Sequence, residues 1–273
     1  HFRVCPAGAA GKGQGDDRGG EIHHRPDFGY YGLLLSHLPF HGVPAGVRYV
    51  PQRICQNAGV SLKMMISVLE YLQDPCGTLS IPYWKAKNLR LPENMRVVHD
   101  RDFPDGGLPN FTDQRYFRLY HDLHSIPCAE QQDIALVTAT EQDVDTIVSV
   151  INQCYDDIRV NRQQLIRYRQ TPVYCADLWV LAVSRTENIC VGAGIADYDR
   201  ELGELVLEWI QVLPAYRNRK IGQAIVCELL RRMRGTAKFA TVSGQANNPS
   251  RPEFLYRKCG FTGTDVWHVL SAK

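Results

Sequence analysis

The sequence predicts a mixed α/β fold, and two observations carry that reading. The first is the stretch Leu205 to Arg234. Its opening part, Leu205 to Val212, is rich in Leu, Val, Ile and Trp and has the length of a buried strand. Pro214 cannot sit in a central strand, so the chain turns there. Beyond the turn, Ile221, Ala224, Ile225, Val226, Leu229, Leu230 and Met233 fall on one broad helical face opposite Gln223, Glu228, Arg231 and Arg232, and Gly235 stops the helix. The second observation is the order of segments from Ile134 onward: strand, two helices, three strands, helix, strand, helix, strand.

Each segment has a local reason. Ile134 to Ala139 is a short apolar strand. Thr140 and Asp143 form a capping-box variant before a helix carrying Val144, Ile147, Val148, Val150, Ile151 and Cys154. A second helix spans Asn161 to Arg169. Leu178 to Val183, Cys190 to Ala196 and Leu205 to Val212 read as successive strands, joined through Thr186-Glu187-Asn188 and through Asp197 to Gly203. Phe239 to Ser243 is a strand, Pro252 to Lys258 a helix, and Val266 to Leu270 a closing strand.

Chemistry belongs at the turn between the Leu205 strand and its helix. Arg217, Asn218, Arg219 and Lys220 lead into a helix start near Ile221 and Gly222, so cations and unpaired backbone N–H groups converge on a positive dipole end. Such a place suits phosphate. A solvated basic loop is the alternative for the run taken alone.

These residues carry a resemblance. Pro214, Tyr216, Arg217 and Gly222, between a strand and an amphipathic helix, resemble the acetyl-CoA pyrophosphate loop of the GNAT superfamily of N-acetyltransferases. Downstream, Leu255-Tyr256-Arg257-Lys258-Cys259-Gly260-Phe261 is similar to the LYxKxGF segment that ends the family's last helix. The family loop reads Q/R-x-x-G-x-G/A, whereas Arg217 to Gly222 has Lys220 where the first glycine belongs. A positive φ at that position would strain a lysine by about 1 kcal/mol, while its charge would serve the phosphates. A shifted match over Arg219 to Ala224 satisfies the pattern but pushes the loop into the helix.

The resemblance covers roughly the C-terminal half of the chain. It implies an α/β (α+β) fold with a GNAT-like mixed central sheet flanked by helices, preceded by an N-terminal accessory region. The corresponding division is a Gly-rich flexible segment at 1–27, an accessory region at 28–132 and an acetyltransferase domain at 133–273. It further implies acetyl-CoA as co-substrate and no metal. Backbone groups of Ile210, Gln211 and Val212 would pair with the pantetheine arm as an added strand. Arg217, Asn218, Arg219, Lys220, Ile221, Gly222, Gln223 and Ala224 would hold the pyrophosphate, and Asn248 would touch the arm. Glu208, expected on a strand face with Val206, Ile210 and Val212 and so partly desolvated, is the expected base for the acceptor ammonium. Tyr256 is the expected acid for the departing thiolate.

Composition sets the outer limits. With 44% hydrophobic and 22% charged residues and a net charge of +2, the 273-residue chain is ordinary for a soluble globular protein and offers no general case for nucleic acid or an anionic membrane as partner. No apolar run approaches the roughly 20 residues that span a bilayer. The nine cysteines form no C-x-x-C pair, which speaks for reduced thiols, and no signal peptide is evident; both favour the cytoplasm.

The first half declares less. His23-His24 sits in the Gly-rich segment, where adjacent histidines are normally just solvated. Tyr30 to Leu38 is a short apolar run, and Val60 to Leu72 has helical spacing ended by Pro75 and Gly77. Residues 53 to 72 faintly resemble a helix-turn-helix, but one cation, Lys63, faces Glu70 and Asp74, which is poor for gripping DNA. Thr78 to Lys87 reads as a strand interrupted at Pro82, and Asp100 to Asp113 as loop. His121 and His124 would share a helical face, and lacking a third ligand they read as structural.

The reading that emerges is an N-acetyltransferase for a primary amine of a small molecule, peptide or protein, with a homodimer compatible with the pattern. The alternatives are a non-catalytic CoA-binding or interaction module of the same fold and, third, a DNA-binding regulator through residues 53–72.

Overall fold

The protein is described here by a computed structural model covering residues 66–87, 89, 91–127, 131–156 and 158–273. The Gly-rich segment, His23-His24, the Tyr30 run and most of the 53–72 stretch lie outside the described residues. One eight-stranded sheet organises the rest. Its strands are β1 (Met95–His99), β2 (Phe111–His121), β3 (Ile134–Thr138), β4 (Trp179–Ser184), β5 (Cys190–Asp199), β6 (Glu204–Val212), β7 (Phe239–Gln245) and β8 (Thr262–Ala272), in the spatial order β1-β8-β2-β7-β6-β5-β4-β3. Every neighbouring pair is antiparallel except β6 and β7.

Seven helices accompany the sheet among the described residues: α1 (Val68–Gln73), α2 (Pro75–Thr78), α3 (Tyr83–Ala86), α4 (Val144–Cys154), α5 (Arg162–Tyr168), α6 (Ile221–Met233) and α7 (Pro252–Lys258). From β3 onward the element order is the one the sequence predicts. The reason is local: Thr140 and Asp143 form the expected capping box, Asn161 and Gln164 form a second, and Pro252 opens α7 at its first position. Helix α6 buries Ile221, Ala224, Ile225, Val226, Leu229, Leu230 and Met233, as its spacing requires. Gly192 and Gly194 of β5 let it approach, since a Cβ on Gly194 would stand 2.3 Å from Ile225 Cγ2.

The N-terminal part departs from expectation. Thr78 to Lys87 is not a strand: Asp74 caps α2, and after Pro82 the chain makes the single turn of α3. Nor do His121 and His124 share a helical face, because His121 ends strand β2, where its ring meets the Leu123 amide and the Cys259 carbonyl. Strand β1 and most of β2 lie where the sequence shows no clean alternation. The boundary at 132/133 does not mark a break in the sheet either, because β8 runs between β1 and β2 and bonds to both. A hydrophobic cluster of Tyr71, Leu79, Ile81, Tyr83 and Ala86 with Leu202 and Phe239 seats residues 66–89 against the β6–β7 end of the sheet. Among the described cysteines, Cys76, Cys154, Cys175, Cys190 and Cys259 are free.

Two buried polar clusters stitch these layers. Glu204, fully buried, accepts hydrogen bonds from Tyr71 Oη at 2.8 and 2.9 Å, Thr241 Oγ1 at 2.6 Å and Arg118 Nη2 at 3.3 Å. Arg118 also donates to the Pro75 carbonyl and to Ser243. Burial pushes the Glu204 carboxyl up, against the opposing pull of Arg118 and of the hydrogen bonds from Thr241 and Tyr71. In the second cluster Asp197 of β5 accepts from Tyr168 Oη at 2.8 Å, while its Oδ1 is buried without a partner. Burial first, and then the charge of Glu208, drive the Asp197 carboxyl well above the usual range.

Arg118→Met leaves Glu204 buried without its cation and is expected to cost about 3–5 kcal/mol; urea melts check this, and Arg118→Met/Glu204→Leu should recover part of the loss. Asp197 gives a pH signature. Its folded-state pKa is raised, so its contribution is fully present below the unfolded value near about 3.9 and is lost as pH rises through the folded value. Unfolding free energy should therefore fall between acid and neutral pH, and Asp197→Asn should flatten that slope; identical slopes would contradict the assignment.

Candidate active site

The site is created where two neighbouring strands stop pairing. β6 and β7 are in register from Glu204↔Phe239 to Leu207↔Val242 and no further. Beyond Leu207, β6 stays with β5 as far as Val212↔Gly192, while β7 stays with β2 as far as Gln245↔Tyr116. The strands therefore splay, and Glu208 to Val212 keeps a partner on one side only. Its backbone groups on the other side face the fork, where an extended ligand can add as a strand.

Glu208 is the first residue past the fork. The β5 register skips it, since Ile195 faces Trp209 and Ala196 faces Leu207, so Glu208 is the extra residue of a β-bulge. The bulge breaks simple alternation: Val206 is buried, whereas Glu208, Ile210 and Val212 stay partly open and Trp209 and Gln211 are buried. The expected common face for Val206 and Glu208 is thus corrected.

The carboxylate is not free. Lys85 Nζ of α3 lies 2.6 Å from Oε1 and 2.5 Å from Oε2, and the two side chains are 6% and 9% exposed. Sequence reading missed Lys85. The available signal was Tyr83-Trp84-Lys85, a cation directly after two aromatics in an apolar stretch, and Lys85 Nζ does sit 5.5 Å from the Trp84 ring centre.

Tyr256 on α7 is nearly buried, stacked edge-on with Phe261 at 5.8 Å and tilted against Phe117 at 6.2 Å. Burial first, then the charges of Tyr155, Cys259 and Glu208, hold its phenol above the usual range, so it stays protonated. Among the described residues its hydroxyl makes no hydrogen bond, which leaves it a donor in waiting. Gln211 Nε2 donates to Tyr155 Oη at 3.1 Å, and Tyr155 meets Trp209 edge-on at 6.1 Å.

The basic turn follows. Pro214 to Tyr216 makes one tight turn, and Asn218 and Lys220 both take left-handed backbone, with φ of 63° and 59°. The strain foreseen for Lys220 is therefore present, and because α6 starts at Ile221 the unshifted register is the one the fold adopts. The helical ladder begins with the Ala224 amide on the Lys220 carbonyl at 3.0 Å. The amides of Ile221, Gly222 and Gln223 consequently have no acceptor within the helix. Ala224 leaves the expected anion-facing set, its amide used in the helix and its side chain buried.

Around that turn the side chains are partly committed. Arg217 donates to the carbonyls of Val212 at 3.2 Å and Cys154 at 3.3 Å, and Arg219 donates to Ala215 and lies 5.0 Å from the Tyr216 ring centre. Gly222 backs onto Leu255 and Val212, and a Cβ there would stand 3.2 Å from Leu255 Cδ2. Asn248 accepts from the amide and hydroxyl of Ser250 at 2.9 and 2.7 Å, so its oxygen is turned into its own loop. A cleft of about 300 Å3 opens beside α3, lined by Trp84, Lys87, Pro172, Val173, Asp199, Arg200 and Glu201. Among the described residues no group of three or more His, Cys, Asp or Glu could hold a metal ion, and no helix is long and apolar enough to cross a membrane.

Comparison with known proteins bears on this geometry. Residues 176–263 match the acetyltransferase (GNAT) domain family. No curated protein matches the chain. Among solved structures, a GCN5-related N-acetyltransferase from Sphaerobacter thermophilus is similar at 17% identity and a TM-score of 0.50, over 57% of this chain and 50% of that one. The chain thus spans about half the length of that protein. A conserved protein of unknown function from Staphylococcus epidermidis is similar at 10% identity and a TM-score of 0.50, over 77% of this chain and 82% of that one. At these identities the structures speak to the fold. The matched segment runs from just before β4 through the fork, the basic turn and Tyr256, and over that stretch the chain is similar to the acetyltransferase (GNAT) domain.

Proposed function

We propose that the protein is an acetyl-CoA-dependent N-acetyltransferase acting on a primary amine, in the cytoplasm. The observation that carries the reading is the fork: β6 parts from β7 at Leu207 with a carboxylate at the apex and a helix N-terminus at the open end. The residues present fit acetyl-CoA. Ile210, Gln211 and Val212 offer strand edge to the pantetheine arm, and the amides of Ile221, Gly222 and Gln223, with Arg217, Arg219 and Lys220 around them, offer donors and charge to the pyrophosphate. Asn218 belongs to the same turn, and Asn248 keeps only its amide nitrogen for the arm. Bound there, acetyl-CoA supplies an activated acyl group.

The chain's own residues then divide the proton work. Glu208 takes a proton from the acceptor ammonium, since only a neutral nitrogen has a lone pair to donate. Tyr256, kept protonated by burial, delivers a proton to the leaving sulfur. A second reading, a CoA-binding module without catalysis, is favoured by one observation: Lys85 already occupies the carboxylate that a base must keep available.

Calorimetric titration with acetyl-CoA tests the first reading. Binding in the micromolar range should vanish in Gly222→Trp, whose ring collides with Leu255 and Val212. Thiol release with a panel of amines should fall about a hundredfold or more in Glu208→Gln while acetyl-CoA affinity is kept. Binding without any thiol release would favour the module, and no binding would defeat both. Lys220→Gly separates two effects of one residue: stability should rise by up to about 1 kcal/mol as left-handed strain is relieved, while acetyl-CoA affinity should drop because a cation is lost. Parallel melts and titrations read the opposite signs.

A further inference from the structure

A general base must lie within hydrogen-bond reach of the proton it removes. In this protein the group within that reach of Glu208 is a primary ammonium belonging to the chain itself: Lys85 Nζ, at 2.5 and 2.6 Å from the two carboxylate oxygens. Stability does not explain the arrangement. A buried ion pair gives back much of its Coulomb energy in desolvation, and an apolar pair of similar volume would serve a core as well or better. Nor is Lys85 there by default of its helix, because α3 is a single turn whose other buried side chains, Tyr83 and Ala86, are apolar. The hydrophobic seating of Tyr71, Leu79, Ile81, Tyr83 and Ala86 on Leu202 and Phe239 delivers this amine to the apex of the fork.

We propose that Lys85 is an internal acceptor, and that the protein N-acetylates its own Lys85 Nζ with Glu208 as base. The inference rests on the acetyl-transfer reading above. Glu208 takes one proton from the Lys85 ammonium, and the freed lone pair forms an N–C bond to the thioester carbonyl carbon of acetyl-CoA. The C–S bond breaks with its electron pair on sulfur, and the sulfur gains a proton while the new amide nitrogen sheds its second one. The products are Nζ-acetyl-Lys85, the free thiol of CoA and one proton, which Glu208 returns to solvent. The charge on Lys85 is gone at the end, so the modification also releases Glu208 from its cation. Lys87, two residues on, is a built-in control: it is 35% exposed, and the carboxylate it pairs with at 2.7 Å, Glu201, is itself exposed and sits in the β5–β6 turn rather than past the fork.

The test uses the full chain and acetyl-CoA carrying an isotopically labelled acetyl group, with chymotryptic peptides read by mass spectrometry over time and acetyl-CoA binding measured by calorimetry on the same preparation. Label is expected on Lys85 well ahead of Lys87, with the Lys85 rate falling about a hundredfold in Glu208→Gln. Lys85→Arg, which keeps a cation on Glu208 but offers no amine to acylate, should bind acetyl-CoA and take no label at that position. Acetyl-CoA binding and thiol release to an added amine with Lys85 left unlabelled would overturn the inference and leave the acetyltransferase standing. Equal labelling of Lys85 and Lys87, unchanged in Glu208→Gln, would overturn it as uncatalysed acylation. Absence of acetyl-CoA binding would defeat the inference and the reading beneath it together.

Discussion

The structure hangs on a carboxylate buried at the root of the fork. Glu204 has no water to solvate it, so its charge must be met by protein, and it is met by three different elements: Arg118 from β2, Thr241 from β7 and Tyr71 from α1. Those elements come from distant parts of the chain. One unsolvated charge therefore ties the N-terminal segment, strand β2 and the only parallel pair among the described strands into a single unit. It does so at the last stretch where β6 and β7 remain together. Above it the strands are free to diverge.

Divergence is what turns a sheet into a site. Four residues above Glu204, at Glu208, the bulge re-aims a second carboxylate, and Lys85 answers it from the same N-terminal segment that Tyr71 helps to seat. The two charged pairs, Arg118–Glu204 and Lys85–Glu208, are thus alike in origin and different in consequence. The first is satisfied on all sides and is structural. The second joins a would-be base to a would-be acceptor in a place reached by the open edge of β6. The neighbouring Asp197, buried and short of one partner, is kept from adding a third negative charge by its raised affinity for a proton.

The second half of the chain was legible in the sequence because its elements are set by local rules. The helix from Ile221 to Met233 follows from a 3.6-residue stripe, α7 from a proline at its start, and the β4–β5–β6 meander from apolar runs separated by turn residues. The basic turn was visible for the same reason, down to the left-handed backbone at Lys220. The first half was not legible. β2 spends its pattern on Arg118 and His121, which are buried for tertiary reasons that no period encodes, and α3 is a single turn too short to leave a periodic signal.

The sequence by itself determined the order of strands and helices from β3 onward and the position of the basic turn, because propensity, capping and hydrophobic period act over a few residues. Only the tertiary structure decided that β1 and β2 join the same sheet, that residues 66–89 pack against its β6–β7 end, that β6 and β7 part at Leu207, and that Lys85 meets Glu208 across more than a hundred positions. Those outcomes come from pairing register and from buried charge seeking its partner. Both are properties of contacts far apart along the chain, and nothing in a local window of sequence records them.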